Sequence, residues 1–558
     1  MSAQFNIKAA DPASVDRLQR ELDLPRFIAA TLVARGIESP QDVHRFLAPS
    51  LDRDWLDPYI IPGLSDGADA LEAAVKRGDH ILVFGDFDLD GSSATTVLTR
   101  GLRALGAQAT PFIPLRFEEG YALSEAAFLR ACSFGPDFIV TVDCGIACKA
   151  EAAMVVEAGL GLAVTDHHEP VDLVPEGVPV ADPKCDPTCP SAILAGVGVA
   201  LKLVQVLGGR LGQPHLWRDY TDFATLGTVA DLMPMRGENR ALVADGIARM
   251  NKEPRPCIAA LLATSGAIDK PVSATNLSFS VIPRLNAAGR MGDAQLALDL
   301  LMTDDFEEAH RLAAELEHVN DQRRAIQAEL SELAQARAAE VYQGQRALVV
   351  SGESWHEGVK GIVASRLVNT YGVPSLLFTI DGDEARGSGR SGGQGNLFKA
   401  VESASDLLTR FGGHEAAVGV TLPADKLPEF EQRLCAYMNE LPEGAFHPLV
   451  KIDACVSLDE LTLESVAQLD KLAPFGQEHP VPVYLARDVT LVNARAVGAE
   501  KNHFSCPLTD GRAPVAGIMF PCPAIEPPLR PHSGVHPQFE VPIDAWTGRK
   551  PVKALHTS

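Results

Sequence analysis

No stretch of about 18 consecutive apolar residues, the length a membrane-spanning helix needs, occurs in the 558 residues. The N-terminus, MSAQFNIKAADPAS, shows no charged start followed by an apolar core, so no secretory signal is expected and the cytoplasm is the expected compartment. Basic residues are in deficit: 49 Lys and Arg against 73 Asp and Glu leave a net charge of −24. That excludes the surface-wide basic footprint of most nucleic-acid binders. It does not exclude a metal-dependent nuclease, because divalent ions reverse the local field and a few arginines in a groove can hold a strand. Cysteines are few and scattered. Cys144/Cys148 and Cys185/Cys189 form C-x3-C pairs, but neither has a second pair at zinc-finger spacing, so reduced structural thiols are expected. There is no internal repeat and no low-complexity tract. GVKGIVASR (358–366) lacks the Lys-Ser/Thr ending of a P-loop.

Three acidic and histidine clusters stand out against these absences. They are Asp86, Asp88 and Asp90 in GDFDLDG, Asp143 in TVDCG, and Asp166-His167-His168 in TDHH. Each follows a short apolar run: HILVF, FIVT and GLAVT. Such runs, bounded by turn residues, read as buried parallel strands. Ligand sites in open α/β sheets lie at the carboxyl ends of those strands, so one sheet edge is expected to gather all three clusters. The glycine of GDFDLDG predicts a turn that curls Asp88 and Asp90 toward one cation; the later glutamate of an EF-hand is missing. Of the adjacent histidines, His167 can be a ligand while His168 reaches substrate. Asp231 in ATLGTVADLMP is a fourth candidate, with a helix cap as its plain alternative. Hard oxygen ligands with one imidazole suit Mn2+ or Mg2+ better than zinc, and two ions would clamp a phosphate.

The organisation is α/β. Residues 1–70 read as helical. From about 70 to 235 helices and strands alternate, as in a doubly wound parallel sheet. Residues 236–303 are helix-rich, and 304–341 form one long amphipathic segment without Pro or Gly, read as a linker helix rather than a coiled-coil arm. A second α/β unit starts at about 346, and short β-rich pieces after 450 suggest a small barrel. The expected domains are 1–70, 71–303, 304–345, 346–445 and 446–558. GSGRSGG (387–393) and FGGHEAAVG (411–419) are read as glycine-rich backbone nests for anions, with Arg390 as a bidentate phosphate grip. GVGVALK (196–202) is read as helix packing.

In that order, GDFDLDG, TVDCG, TDHH and GTVADLMP resemble the motifs of the DHH phosphoesterases. IPLRFEEGYAL, RLNAAGRMGDA, GESWHEGVKGIVASRL, GSGRSGG and FGGHEAAVG narrow the resemblance to the RecJ-type exonucleases, over about residues 25–520. The resemblance implies a DHH-type parallel-sheet domain, a long connecting helix, a second DHH-associated α/β domain and a C-terminal OB-fold-like barrel. It implies two-metal hydrolysis of single-stranded DNA from the 5′ end to 5′-mononucleotides, in DNA repair and recombination. It makes Asp86, Asp88, Asp90, Asp143, His167 and Asp231 metal ligands and sets His168 on the scissile phosphate. Arg116, Ser388 and Arg390 would hold the 5′-phosphate, Arg290 another phosphate, and His414 would lie beside the strand. A single-strand-binding protein and a RecQ-like helicase are the implied partners. Phe84 departs from the pattern, standing where many DHH proteins have a histidine. The rival readings are a DHH phosphodiesterase for short oligonucleotides or cyclic dinucleotides, and an inactive DHH scaffold.

Overall fold

The computed structural model describes residues 4–393, 395–446 and 449–487, and beyond those the stretches 489–491, 495–497, 503–505, 507–512, 514–519, 537–540 and 552–557. The chain divides into two compact units, one of residues 50–446 with 476–478 and one of 1–49, 447–475 and 479–558.

The larger unit begins with the apolar runs. Strands β1 (His80–Phe84), β2 (Gln108–Phe112), β3 (Phe138–Val142), β4 (Gly161–Thr165) and β5 (Val180–Ala181) form a sheet of order β2-β1-β3-β4-β5. Every neighbouring pair is parallel. Strands β1, β3 and β4 are largely apolar because both faces are covered. Ile81 and Val83 of β1 join the core built with the helices that follow, while Leu82 and Phe84 join a second cluster on the other face. Phe84 packs on Phe112 with ring centroids 4.9 Å apart, so its ring serves that core.

The helices that matter for the site are α1 (Leu89–Ala104), α2 (Gly196–Arg210), α3 (Thr221–Ala230) and α4 (Ile282–Met291). Helix α5 runs unbroken over Phe306–Val341, capped by Asp305, whose carboxylate accepts from Glu308 N at 2.8 Å. Ala309, Leu312, Ala313 and Leu316 belong to the first core, and Leu330, Ala334 and Ala338 to the next. One helix thus serves two cores in succession, as a connecting helix does.

The second core surrounds a five-stranded sheet of β6 (Leu348–Glu353), β7 (Ser375–Asp381), β8 (Glu384–Arg390), β9 (Arg410–His414) and β10 (Ala417–Pro423), ordered β9-β10-β8-β7-β6. Only β6 and β7 are parallel. Helix α6 (Glu357–Tyr371) packs on this sheet. The glycine-rich segments correct the expected nests. Gly387–Arg390 lie inside β8 and pair on both sides, so their amides serve the ladder and leave no anion cradle. These glycines allow close packing instead: a Cβ on Gly387 would sit 2.4 Å from the Phe378 ring.

In the smaller unit, helices Pro12–Leu22, Arg26–Ala34 and Pro40–Leu47 share a core with Tyr484, Val456 and Leu472. Arg35 makes a paired hydrogen bond to Asp453 at 2.9 and 3.0 Å. Gln4–Ile7, read as helical surroundings from sequence, is a strand parallel to Leu449–Ile452. Short strands from Ala454 to Thr557 make up a seven-stranded sheet among the described residues.

Candidate metal centre and phosphate site

Asp88 sits just after β1 and caps α1, its carboxylate accepting from Gly91 N at 3.0 Å. Asp90 therefore falls in the first turn of α1, where it accepts from Gly196 N at 2.7 Å and Val197 N at 3.1 Å, the leading amides of α2. Negative charge is favoured at such a helix start. Asp143 ends β3 in the left-handed region, φ 60°, and is buried. His167 follows β4. Asp231 lies at the C-terminal end of α3, where the helix dipole disfavours a carboxylate, so the helix gains nothing from it.

These residues converge. His167 Nε2 lies 3.0 Å from Asp143 Oδ1, 3.7 Å from Asp90 Oδ2 and 3.7 Å from Asp231 Oδ2. Three sets of potential ligand atoms are close enough to share an ion: Asp143, His167 and His168; Asp90, His167 and Asp231; and Asp86, Asp88 and Asp143. No cysteine takes part in these sets. Burial first, and then the neighbouring carboxylates, push Asp86, Asp90 and Asp143 well above the usual carboxylate range. Asp231 rises to about 7 for the same reasons, burial and then Asp88. Burial and then His168 lower His167 to about 3, so its imidazole is neutral at physiological pH. Asp86 Oδ1 and Asp143 Oδ1 are buried without a hydrogen-bond donor. Buried carboxylates held together with no cation among them cost free energy that a divalent ion would remove.

Asp166 orients the two histidines that follow it. Its Oδ1 accepts from His167 N at 2.7 Å, His168 N at 3.2 Å and His168 Nδ1 at 2.7 Å, and its Oδ2 accepts from Ile146 N at 2.9 Å. Burial alone would lower the pKa of His168, but the hydrogen bond to Asp166 and the surrounding carboxylates lift it to about 9. His168 is half exposed where His167 is buried. The two rings do not diverge: their centroids lie 4.5 Å apart, tilted by 57°.

Two further features escaped the sequence reading. Gly196, taken as helix packing, faces the site: a Cβ there would lie 2.5 Å from Asp143 Oδ1. Asn286, inside RLNAAGR, accepts from Leu89 N at 3.1 Å and so ties α4 to the aspartate loop.

The predicted phosphate residues also gather. The Arg116 guanidinium lies 4.6 Å from the Phe87 ring centroid. Arg290 donates to Gly358 O at 3.2 Å, and Arg390 to Gly389 O at 2.7 Å and Ser388 Oγ at 3.3 Å. Burial, and then the nearby charges of Arg116, Arg323 and Arg390, lower Arg290 to about 10. Arg323 of α5 is an addition; it donates to Asn320 and Gln327, both at 2.5 Å. None of these four guanidiniums has a carboxylate ion-pair partner among the described residues. Gly361 leaves room for the group, since a Cβ there would lie 2.4 Å from Arg390 Nη2. His414 is not brought into it: it is exposed on the edge strand β9, two strands from Arg390. Between Arg116 and His168 stand two aromatics that the sequence reading passed over. Phe87 and Tyr121 lie 6.0 Å apart, and Tyr121 lies 6.4 Å from His168.

A parallel sheet with this carboxylate and histidine cluster at its strand ends, joined by a long helix to a second α/β domain, defines a DHH phosphoesterase. Residues 80–228 match the DHH family N-terminal domain and 344–440 the DHHA1 domain. Residues 452–556 match the RecJ OB domain, which extends the likeness beyond residue 520. The chain is 34% identical over 552 residues to the single-stranded-DNA-specific exonuclease RecJ of Bacillus subtilis, covering 98% of this chain and 69% of that one. It superposes on RecJ of Thermus thermophilus in complex with Mn2+ with a TM-score of 0.85 at 30% identity, covering 100% of this chain and 79% of that one. For the complex of the same protein with Mg2+ the TM-score is 0.79 at 29% identity, over 99% and 78%. The chain belongs to the RecJ family of single-stranded-DNA-specific exonucleases.

Proposed function

We infer that this protein is a metal-dependent exonuclease that hydrolyses single-stranded DNA from its 5′ end and releases 5′-mononucleotides. The observation that carries this reading is the meeting of Asp90, Asp143, His167 and Asp231 around one point, with Asp86 and Asp88 beside them. Asp86, Asp88, Asp90, Asp143, His167 and Asp231 would hold Mn2+ or Mg2+, as two ions. When bound, such ions activate water and neutralise charge developing on the phosphate. The relatives solved with Mn2+ and Mg2+ support that choice, as do the orphaned carboxylate oxygens.

The chain's own residues supply the rest. Asp166 holds the Nδ1 proton of His168, which leaves Nε2–H to donate to a non-bridging oxygen of the scissile phosphate. Arg116, Arg390 and Ser388 would bind the terminal 5′-phosphate and Arg290 the neighbouring backbone, giving the enzyme its polarity. Phe87 and Tyr121, standing between the two phosphate positions, would pack against the terminal nucleoside. The OB domain would grip the strand by stacking and electrostatics, and His414 would lie beside the strand. The division into domains at 1–70, 71–303, 304–345, 346–445 and 446–558 is part of the proposal. So are a cytoplasmic location in DNA repair and recombination, and association with a single-strand-binding protein and a RecQ-like helicase, which would supply single strands. No helix is long and apolar enough to cross a membrane among the described residues.

The test uses the purified protein with Mn2+ and single strands labelled at the 3′ end, with and without a 5′-phosphate. Stepwise shortening from the 5′ end that spares duplex is expected. Cleavage of dinucleotides alone would move the assignment to a small-oligonucleotide phosphodiesterase.

A further inference from the structure

Strand β5 runs parallel to β4 with Ala181 beside Thr165, and Asp166 N donates to Ala181 O at 3.0 Å. The chain leaving β5 therefore starts alongside the segment Asp166-His167-His168. Asp182 is fully buried, and its Oδ1 accepts from Lys184 N at 2.7 Å. The buried Pro183 opens the short helical turn Pro183–Cys185. Both features fix the point from which the Lys184 side chain extends. Its ammonium lies 3.2 Å from Glu169 Oε1, one residue beyond His168. After burial and nearer charges, that ammonium also acts on His167 and Asp231, whereas the Arg116 guanidinium acts on Asp86. Asp86 and Asp231 share no set of ligand atoms, so the two cations stand at different ends of the cluster.

The fold gains little from Lys184 where it stands. The side chain of Lys184 is 24% exposed and that of Glu169 is 79% exposed. An ion pair of this kind adds little to stability and is readily exchanged. An ammonium is a point charge with three donors and suits a single phosphate oxygen. Beside a site for phosphodiester hydrolysis, a loosely held lysine is free to take one.

We propose that Lys184 holds the phosphate between the second and third nucleotides, the first one beyond the scissile bond, and that Glu169 occupies Lys184 until the strand displaces it. The proposal rests on the 5′-to-3′ polarity proposed above. With the terminal phosphate at Arg116 and Arg390 and the scissile phosphate at the ions, the strand crosses the ligand cluster from the Asp86 end to the Asp231 end. Lys184 meets it there. After each cut the phosphate at Lys184 is the next to enter the metal centre, so the lysine keeps the strand in register for the following cycle.

The experiment follows the first cleavage of 3′-labelled, 5′-phosphorylated dodecanucleotides by the full-length enzyme with Mn2+, at strand concentrations below KM. An all-phosphate strand is compared with strands carrying one uncharged methylphosphonate, at the second or at the fifth linkage. In the parent, replacement at the second linkage is expected to slow the first cleavage about tenfold, the order of a lost charge-assisted hydrogen bond. Lys184→Met should slow the all-phosphate strand by a similar factor and lose nothing further on the second-linkage methylphosphonate. The fifth-linkage replacement should affect parent and variant by the same factor. Lys184→Arg, which keeps the charge, should restore the parent behaviour. Glu169→Gln should speed the all-phosphate strand about twofold and leave the second-linkage methylphosphonate unchanged. Losses that multiply when Lys184→Met meets that methylphosphonate would overturn the assignment, because independent effects add in free energy. A second-linkage methylphosphonate without effect in the parent, or Lys184→Met at the parent rate, would overturn it equally. Immediate release of the 3′ label would instead remove the polarity on which it rests.

Discussion

The environment of Asp143 is at odds with its charge. It is buried, left-handed in its backbone and raised well above the normal carboxylate range by burial and by Asp90, Asp88 and Asp86. A carboxyl whose folded pKa exceeds its unfolded value stabilises the fold only while protonated, and that contribution is lost as pH rises from about 3.9 through the folded value. Asp143→Asn stays neutral throughout. In metal-free protein at pH 8 the variant should melt a few degrees higher than the parent, gain less from added Mn2+, and lose at least about a thousandfold in turnover, equivalent to about 4 kcal/mol of barrier. Calorimetry and a nuclease assay on one preparation check all three. Asp231, at about 7, contributes to the pH dependence of metal binding: its proton competes with the ion below that value and has left above it. The apparent affinity for Mn2+ should rise between pH 6 and 8. A calorimetric titration showing no change over that range would remove Asp231 from the ligand set. For the stability contributed by His168 the sign is the same as for Asp143. Its folded pKa of about 9 exceeds the unfolded value, so its contribution to stability is complete below about 6.5 and fades as pH rises through 9. Removing the carboxylate charge in Asp166→Asn should bring the His168 titration, followed by NMR in the metal-free protein, down by at least a unit.

Strands β1, β3 and β4 and the positions of their terminal aspartates and histidines were legible because parallel strands covered on both faces leave unbroken apolar runs. The 36-residue helix α5 was legible because nothing in 304–341 interrupts its pattern. The glycine-rich segments misled for a definite reason. Glycine in a strand can mark close packing as well as a free loop, and Gly387 and Gly389 sit against Phe378, Leu376 and Val418. On the proposed function, two side chains of the strand, Ser388 and Arg390, would serve the phosphate there. At α2 the same ambiguity ran the other way. Gly196 looks like a packing residue, yet it lets a helix start approach Asp143 while its own N–H binds Asp90. A methyl group there would displace the Asp143 carboxylate. Gly196→Ala should leave circular dichroism unchanged and reduce turnover about a hundredfold, the usual cost of moving reacting groups by about 1 Å. Full activity in this variant would show that α2 has no part in aligning the two aspartates.

At the scale of the whole molecule, composition pointed away from the function while topology pointed to it. A net charge of −24 gives no hint of a DNA-binding protein, because the cationic part is small and assembled from distant places: a loop after β2, the end of α4, the middle of α5 and strand β8. Arg323 was unreadable as part of it, since on an amphipathic helix it looks like any solvated charge. So concentrated a contact predicts a modest salt dependence. If Arg116, Arg290, Arg323 and Arg390 supply the phosphate contacts to a short strand, the logarithm of affinity should fall against the logarithm of salt with a slope of about −3, at roughly 0.7 per phosphate neutralised on a single strand. Binding of a 5′-phosphorylated hexanucleotide with uncleavable phosphorothioate linkages, measured from 50 to 300 mM salt, gives the slope directly. Arg323→Ala and Arg390→Ala should each bring it closer to zero by about 0.7, whereas an unchanged slope in Arg323→Ala would return that arginine to the surface of its helix. A slope near zero in the parent would mean that the acidic body of the protein repels the strand as strongly as the four guanidiniums attract it, and that metal ions alone hold DNA at the site.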